Sequence, residues 1–387
     1  MAGDKIVFPY IFVFVVSSVL FGVGWMVEKS NRGWMVAWLC YGVAICIVCT
    51  LAGARDLSIG TDTGGYGAFL YKQGMLANSF GSFYSAVKSS VWDVAPLFAC
   101  FSFGIVKLFR SQFALLFAIQ FAVIVPVFLA ARRHCGRALG WVMLFYLLAF
   151  YIPGLNTMRQ SVAMGFVLLL VISLMDGRYI SSVVMELVAL LIHSSAAIGL
   201  LFAVVWFSFF KKNEMGNRVF RSWSQVIMLL SFFVIAITLV LFREIAALFS
   251  GVSGIGRLFL YGTHAGDHLS STGALFIFCI AVGALFISAT FSSEKRVFGV
   301  YLSYLISLSI PFFLMSGVDV TIARMSEYSL LLFVPLIGLA LSIKPNMKSG
   351  TGMLLIGGGC AFRFFVCFVY LGFNHAIPYT SILLGIS

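Results

Sequence analysis

Five arginines lie at or near the ends of long apolar stretches of this 387-residue chain, where they could bind an anion. They are Arg55, Arg159, Arg257, Arg324 and Arg363. A guanidinium is not deprotonated in a protein, and its planar fork binds phosphate oxygens in pairs. Because an arginine beside hydrocarbon is costly unless it meets water or a partner, this placement predicts a phosphate or pyrophosphate site next to lipid. The alternative is a set of ion pairs with acidic residues, for which the candidates are Asp56, Asp62, Asp93, Asp267 and Glu327.

The segment from Arg55 to Tyr66 could place a base beside such a site. It reads Arg-Asp-Leu-Ser-Ile-Gly-Thr-Asp-Thr-Gly-Gly-Tyr. Its glycines allow tight turns, so the backbone can bring Asp62 and Tyr66 towards one point. A carboxylate near a hydroxyl can act as a general base. Asp62 could equally stabilise a turn or pair with Arg55.

Two other polar groups interrupt apolar sequence. The segment 156–161 puts Arg159 and Gln160 at the end of a predicted helix, and a helix end is a natural anion site. His193 and Ser194 lie in the middle of a long apolar stretch. Broken helices occur at membrane depth only where they are buried or line a cavity. His193 is therefore either a satisfied core residue or a functional one.

The remaining candidates carry weaker signals. Arg324 and Tyr328 are four residues apart on one helical face, where ligand binding and an ion pair with Glu327 explain the pattern equally well. The spacing of His264, Asp267 and His268 is a weak zinc pattern. The eight cysteines lie mostly inside apolar runs without metal-like spacing. We therefore predict no metal, no cofactor and no disulfide.

The composition requires a membrane-embedded body to carry these residues. The chain is 61% hydrophobic and 10% charged, against about 25% charged residues in soluble domains. A helix needs about 20 apolar residues to cross a bilayer. Ten segments meet this requirement: 8–27, 33–54, 112–131, 138–153, 160–175, 223–242, 272–290, 297–316, 324–343 and 350–372. Two more fit less well, and we interpret 94–109 as a half-helix and 179–210 as a re-entrant helical hairpin turning near His193.

The sequence thus predicts an all-α polytopic membrane protein that forms a single integral membrane domain over residues 1–387. With the N-terminus outside, 14 of the 25 Lys and Arg residues fall in short loops on the cytoplasmic side, as the positive-inside rule requires. Two longer segments, 55–93 and 243–271, are then external and offer room for polar chemistry. The net charge of +12 includes no basic stripe of the nucleic-acid-binding kind, so we expect no nucleic-acid partner.

Five motifs follow one another along the chain and carry a resemblance. They are Arg55 to Tyr66 (R-x-x-x-I-G-T-D-x-x-x-Y), Asn156 to Gln160 (N-x-x-R-Q), Leu191 to Ala197 (L-I-H-S-S-A-A), Arg324 to Tyr328 (R-x-x-x-Y) and Ile377 to Tyr379 (I-P-Y). In this order and spacing the chain resembles the EpsG/Wzy-type polysaccharide polymerases from about residue 34 to its C-terminus. One departure is Gly65, a position at which the family commonly shows Asn.

The resemblance implies a glycosyltransferase of the bacterial inner membrane with a GT-C-like architecture. Such an enzyme would act as an O-antigen polymerase in lipopolysaccharide synthesis, joining repeat units linked to undecaprenyl pyrophosphate on the periplasmic face. Its partners would be the lipid-linked oligosaccharide, the growing polymer and membrane lipid, and the family also admits a chain-length regulator protein. A flippase or transporter of lipid-linked oligosaccharides and an O-antigen ligase are the alternatives. The structured external segment and the lack of internal repeats argue against a transporter.

The resemblance also implies roles for individual residues. The donor pyrophosphate would be held by Arg159 and Arg324 together with Arg55 or Arg257. The acceptor proton would pass to Asp62 or to His193, of which we favour Asp62. Sugars and hydroxyls would be bound by Tyr66, Gln160, Ser194, Tyr261, Tyr328 and Tyr379.

Overall fold

The computed structural model describes residues 7–30, 33–210, 271–291, 293–314, 320–341 and 347–386. The described residues are mainly helical, with an isolated antiparallel bridge between Ser381 and Ile386. They divide into two compact units, Met1–Ala197 with Cys360–Ser387 and Ile198–Gly359. The prediction of a single domain stays a prediction. Some predicted features lie outside the described residues. They are the span 223–242, Arg257, Tyr261 and the external segment 243–271 apart from Ser271.

Sixteen α-helices, numbered in chain order, lie in the described ranges. In the first stretch they are α1 Phe8–Glu28, α2 Trp34–Ala54, α3 Ala68–Leu76, α4 Phe80–Lys88, α5 Pro96–Phe109, α6 Gln112–His134, α7 Leu139–Asn156, α8 Met158–Met175, α9 Tyr179–Ile192 and α10 Ile198–Val205. After residue 270 they are α11 Ser271–Ser288, α12 Ser293–Ser307, α13 Ser309–Leu314, α14 Val320–Leu330, α15 Phe333–Leu341 and α16 Met347–Phe362. A π-helical turn, Thr63–Gly67, precedes α3, and a 3-10 turn, Ser194–Ala197, follows α9.

Eight helical stretches of the described chain are long and apolar enough to cross a membrane, which supports a multi-pass membrane protein. They are Phe8–Glu28, Trp34–Ala54, Gln112–His134, Gly136–Asn156, Met158–Met175, Lys295–Phe313, Arg324–Leu341 and Met347–Tyr370. Each coincides with a predicted crossing. The predicted count of ten is not confirmed: the segment predicted at 272–290 is a shorter apolar helix, and the one predicted at 223–242 lies outside the described residues.

The two segments that fit a full crossing less well, 94–109 and 179–210, are irregular in the structure too. Helix α5 has 14 residues, which rise only about 21 Å against a hydrocarbon core of about 30 Å. The apolar stretch after residue 179 is interrupted at His193, whose backbone is extended between α9 and the 3-10 turn. The interruption therefore lies where the sequence predicts it, whereas the hairpin direction stays a prediction.

Ion pairs mark one end of the first unit. Arg132 at the end of α6 pairs with Glu28 at the end of α1, and Tyr41 donates to the same carboxylate at 2.8 Å. Arg133 pairs with Asp176, just after α8, at 2.6 Å. The C-terminal ends of α1, α6 and α8 therefore lie together, as expected if the loops that follow these helices lie on one side of the membrane. These are the loops that the basic residues assign to the cytoplasm.

The opposite end of the first unit is closed by residues 371–386, which we call the C-terminal strap. The strap folds back onto the last turn of α2, where Tyr379 donates to the carbonyl of Leu51 at 2.9 Å and Ser381 donates to that of Ala54 at 2.5 Å. The last carbonyls of a helix have no partner within the helix. The strap thus supplies hydrogen bonds that α2 itself cannot make.

The second unit is apolar, and its helix α15 is buried over most of its length. The hydroxyl of Tyr301 in α12 donates to the carbonyl of Phe202 at 3.0 Å, and that of Ser303 donates to Ala284 at 2.9 Å. Buried hydroxyls need such partners in an apolar interior. Arg324 and Tyr328 belong to α14 of this unit.

Candidate active site at the strap end of the first unit

Arg159 lies in the first turn of α8 and is partly exposed. Its guanidinium carbon stands 4.9 Å from the centre of the Tyr66 ring, and Nη1 donates to the carbonyl of Asp93 at 3.1 Å. The positive end of the helix dipole adds to the charge of this arginine. Since no carboxylate of the described residues pairs with Arg159, this end of α8 is a site of uncompensated positive charge that suits an anion.

Tyr66 forms the floor under Arg159. Its side chain is 3% exposed and packs edge-on against Trp92, with ring centres 5.4 Å apart, and stacks on Phe98. Its buried hydroxyl has no hydrogen-bond partner in the part of the chain that the structure describes. Burial raises the pKa of Tyr66 above its ordinary value, Arg159 opposes the shift and Asp62 adds to it. The hydroxyl is therefore neutral and keeps a proton that no described residue accepts.

Asp62 begins the turn that positions Tyr66. Its carbonyl accepts from the backbone N–H groups of Tyr66 at 2.8 Å and Gly67 at 3.1 Å, so the π-helical turn starts at this residue. Its half-buried carboxylate accepts from Thr61 at 3.3 Å and is near enough to Tyr66 to act on its pKa. The turn therefore brings Asp62, Tyr66 and Arg159 into one neighbourhood.

Arg55 lies deeper and differs from Arg159 in its partners. It is 5% exposed, and its Nη1 donates to the carbonyl of Ala52 at 2.6 Å. Nη2 donates to the carbonyl of Leu155 at 3.3 Å, and Nε donates to the hydroxyl of Thr63 at 3.2 Å. All three acceptors are neutral. Burial lowers the pKa of this guanidinium from its ordinary value.

Two helix ends compensate the buried charge of Arg55. Ala52 and Leu155 belong to the last turns of α2 and α7, and the C-terminal end of a helix carries partial negative charge. Among the described residues no carboxylate pairs with Arg55. Asp56 instead accepts from the backbone N–H of Ile382 in the strap at 2.9 Å. The predicted ion-pair alternative is thus not found for Arg55, which joins two helix ends to the Tyr66 turn.

The strap also holds the loop 55–62 and the end of α7. Asn156 donates through Nδ2 to the carbonyl of Asn374 at 3.1 Å, while its buried Oδ1 has no partner within the described ranges. Gly60 donates to the carbonyl of His375 at 2.9 Å. Asn374 and His375 both have positive φ, a conformation that costs an ordinary residue free energy. The strain is offset by these contacts to the site.

His193 and its neighbours come to the same end of the unit. Helices α8 and α9 are joined by a short turn at 176–178 and pack together along their length, so the 3-10 turn after His193 contacts α8. Nδ1 of His193 accepts from the backbone N–H of Ser195 at 3.2 Å and lies 2.7 Å from the hydroxyl oxygen of the same residue. Gln160 is buried and Ser194 is exposed.

The remaining predicted site residues are either buried in the first unit or belong to the second unit. Tyr379 is fully buried, burial raises its pKa to about 12, and its hydroxyl donates a hydrogen bond to the carbonyl of Leu51 in α2. Its predicted contact with sugar stays a prediction. In the second unit Arg324 is exposed, whereas Tyr328 is buried. Sequence reasoning missed Trp92 as a member of the site. Its only signal was its aromatic type beside Asp93 in a segment predicted to be external.

The model of the EpsG family matches residues 38–381 of this sequence, which is nearly the whole chain. The chain belongs to the EpsG family. Its members are Wzy-like polymerases. The matched range includes Arg55, Asp62, Arg159 and His193. The comparisons with curated proteins and with solved structures find no match. This EpsG-family chain is therefore a multi-pass membrane protein of the polysaccharide-polymerase type, acting on lipid-linked oligosaccharides.

Proposed function

We propose that this protein is a polysaccharide polymerase that joins undecaprenyl-pyrophosphate-linked repeat units at the periplasmic face of a bacterial inner membrane. The observation that carries the proposal is the position of Arg159 at the start of α8, where no carboxylate of the described residues pairs with it and its guanidinium lies over the Tyr66 ring, near Asp62. A cation, a hydroxyl donor and a base in one place match the needs of a glycosyl transfer whose leaving group is an anion.

Arg159 is the proposed pyrophosphate-binding residue of the first unit. The leaving pyrophosphate gains negative charge as the glycosidic bond breaks, and a fixed guanidinium at a helix N-terminus stabilises that charge. Arg55 receives a different role, since its described partners are carbonyls and a hydroxyl that fix the loop. The predicted roles of Arg257 and Arg324 in pyrophosphate binding stay predictions from the sequence.

His193 and Asp62 compete for the role of base, and the hydrogen bonds of the imidazole favour Asp62. The backbone N–H of Ser195 can only donate, so Nδ1 of His193 is unprotonated. The proton of the neutral ring then sits on Nε2, which makes that nitrogen a donor. Asp62 is accordingly assigned to accept the proton, whereas the role of His193 in the site stays a prediction.

The proposed step transfers one glycan onto another. The acceptor hydroxyl oxygen forms a bond to the anomeric carbon of the donor glycan, while the bond from that carbon to the pyrophosphate oxygen breaks. The electron pair leaves with the lipid pyrophosphate, and the hydroxyl proton passes to Asp62. The products are a glycan longer by the donor chain and free undecaprenyl pyrophosphate.

A complementation experiment tests this function. The gene is expressed in the parent strain after deletion of its own copy, and surface polysaccharide is separated by size. We expect a ladder with the intact gene, and single repeat units on the surface with Arg159→Ala or Asp62→Asn. Absence of even single units in the deletion strain would instead identify a flippase, and ladders that stay on the carrier lipid would identify a ligase. Full ladders from both variants would refute the proposed site.

A further inference from the structure

We propose that the turn formed by residues 87–94 is a sugar-binding subsite, in which Trp92 is the surface on which a pyranose ring of the glycan stacks. The inference rests on the proposed function, because it names where the glycan binds relative to Arg159. It adds a residue that the sequence motifs do not include.

The turn is built to hold Trp92 in one position. The hydroxyl of Ser90 donates to the carbonyl of Val87 at 2.7 Å and accepts from the backbone N–H of Trp92 at 3.2 Å. Val94 closes the turn by donating to the carbonyl of Val87 at 3.4 Å. Asp93 has a positive φ of 43°, which is uncommon for a residue with a side chain. Backbone strain of this kind persists only where surrounding contacts over-determine it.

The indole of Trp92 combines an apolar ring with an available donor. Its ring meets that of Tyr66 at 61°, which fixes it beside the floor of the site, yet the residue is partly exposed. Within the described chain its indole N–H makes no hydrogen bond, and this nitrogen is not one of the fully buried polar atoms without a partner. A tryptophan with one end packed and the other exposed to solvent suits a ligand whose face is apolar and whose edge is polar. A pyranose ring has this character.

Charged groups form the edge of this surface. Nζ of Lys88 lies 2.5 Å from Oδ1 of Asp93, and the two side chains are 51% and 53% exposed. The carbonyl of Asp93 meanwhile holds Arg159. An exposed ammonium and carboxylate can each exchange water for sugar hydroxyls at little cost. The subsite is thus continuous with the proposed pyrophosphate-binding residue.

Gly65 sets the space behind the Trp92 ring. A Cβ placed on Gly65 would lie 3.4 Å from Cζ2 and 3.7 Å from Cη2 of Trp92. Alanine therefore fits there in ordinary contact, whereas a branched side chain would displace the indole. Gly65→Leu is a means of moving Trp92 without removing it, and Gly65→Ala is its matched control.

The first arm of the test is kinetic and uses the full-length protein in nanodiscs with lipid-linked repeat unit extracted from the deletion strain. Trp92→Ala should raise KM for the repeat unit about three- to tenfold and leave kcat within about twofold of the wild type. The KM of Trp92→Phe should fall between those of the wild type and Trp92→Ala, and the KM of Gly65→Leu should resemble that of Trp92→Ala. Trp141→Ala, which removes a 65% exposed tryptophan at the start of α7, is the control. Equal KM values for the Trp92 and Trp141 variants would overturn the subsite.

The second arm measures binding without catalysis. The protein is labelled with 5-fluorotryptophan, the Trp92 resonance is identified by its loss in Trp92→Phe, and the repeat-unit oligosaccharide freed of lipid and phosphate is titrated in. We expect a saturable shift of that resonance in the wild type and none in Gly65→Leu. An unmoved Trp92 resonance beside active polymerisation would refute the subsite alone. A shift without any polymerisation would refute the proposed function and leave the subsite standing.

Discussion

The hydroxyl of Tyr379 donates a hydrogen bond of 2.9 Å to the carbonyl of Leu51, which lies 328 residues earlier in the chain. Arg55 and Ser381 bond the carbonyls of Ala52 and Ala54 in the same helix turn. The C-terminal end of α2 is therefore capped by the loop that follows it and by the strap together. The cap fixes where the loop 55–62 begins, and thereby where Asp62 and Tyr66 lie.

Removing this hydrogen bond should destabilise the first unit. Tyr379→Phe leaves the buried carbonyl of Leu51 without a partner, so we expect a loss of about 1–2 kcal/mol and a lower melting temperature of the purified protein. Tyr71→Phe is the matched control, because the hydroxyl of Tyr71 donates to Arg110 at an exposed position where water can replace it. Equal effects of the two variants would contradict a capping role for the strap.

A side chain at Gly60 should disturb the same loop. This glycine has a φ of +87°, and a Cβ there would lie 2.3 Å from Oδ1 of Asn156. Gly60→Ala should cost about 1–2 kcal/mol from the backbone alone and more from the collision. The double variant with Asn156→Ala should recover the collision part in thermal melting. Gly81→Ala, within α4, should be neutral or stabilising. Additive effects at positions 60 and 156 would show that the two residues do not meet.

Removing the hydroxyl of Tyr66 should lower the polymerisation rate without lowering the melting temperature. Tyr66→Phe removes a buried group that has no hydrogen bond in the described structure, so we expect no drop in melting temperature. If that hydroxyl donates to the substrate, the polymerisation rate should fall about fivefold, the equivalent of roughly 1 kcal/mol. A variant that melts lower and polymerises normally would reverse the assignment, since the hydroxyl would then serve the fold.

The two polar ends of the first unit should face opposite sides of the membrane. In a cysteine-less background, a membrane-impermeant maleimide should label Asn78→Cys in spheroplasts, because the segment 55–93 is assigned to the outside. Ser30→Cys should react only after permeabilisation, since the Glu28–Arg132 end is assigned to the cytoplasm. The opposite labelling pattern would invert the topology and place Arg159 on the wrong side for a periplasmic reaction.

Local sequence signals predicted much of this structure. The lengths of the apolar segments predicted eight of the apolar helices. Polar residues within apolar runs indicated the break at His193 and the position of Arg159 at the start of α8. These features depend on the solvent preference of neighbouring residues, which is visible in a short window. The alternation of basic loops likewise agrees with the grouping of the ends of α1, α6 and α8.

Contacts between residues far apart in the sequence could not be predicted from such local signals. Nothing near Tyr379 indicates that its hydroxyl serves α2, so an aromatic residue in a family motif was expected to contact sugar. Arg55 was expected to need an anion or a carboxylate, because the sequence does not show that two helix ends would converge on it. Trp92 was missed because its importance depends on the fold of the turn 87–94 and on the space at Gly65.

The most direct test of the central claim is elongation by the purified full-length protein in vesicles supplied only with undecaprenyl-pyrophosphate-linked repeat unit. The account predicts glycans of two or more units and release of undecaprenyl pyrophosphate in step with each bond. It also predicts that Arg159→Ala lowers kcat at least 100-fold, as the removal of a charge-stabilising group does in other enzymes, while Trp141→Ala leaves it unchanged. Elongation by Arg159→Ala at the wild-type rate would contradict the claim, and so would the absence of any elongation by the wild type.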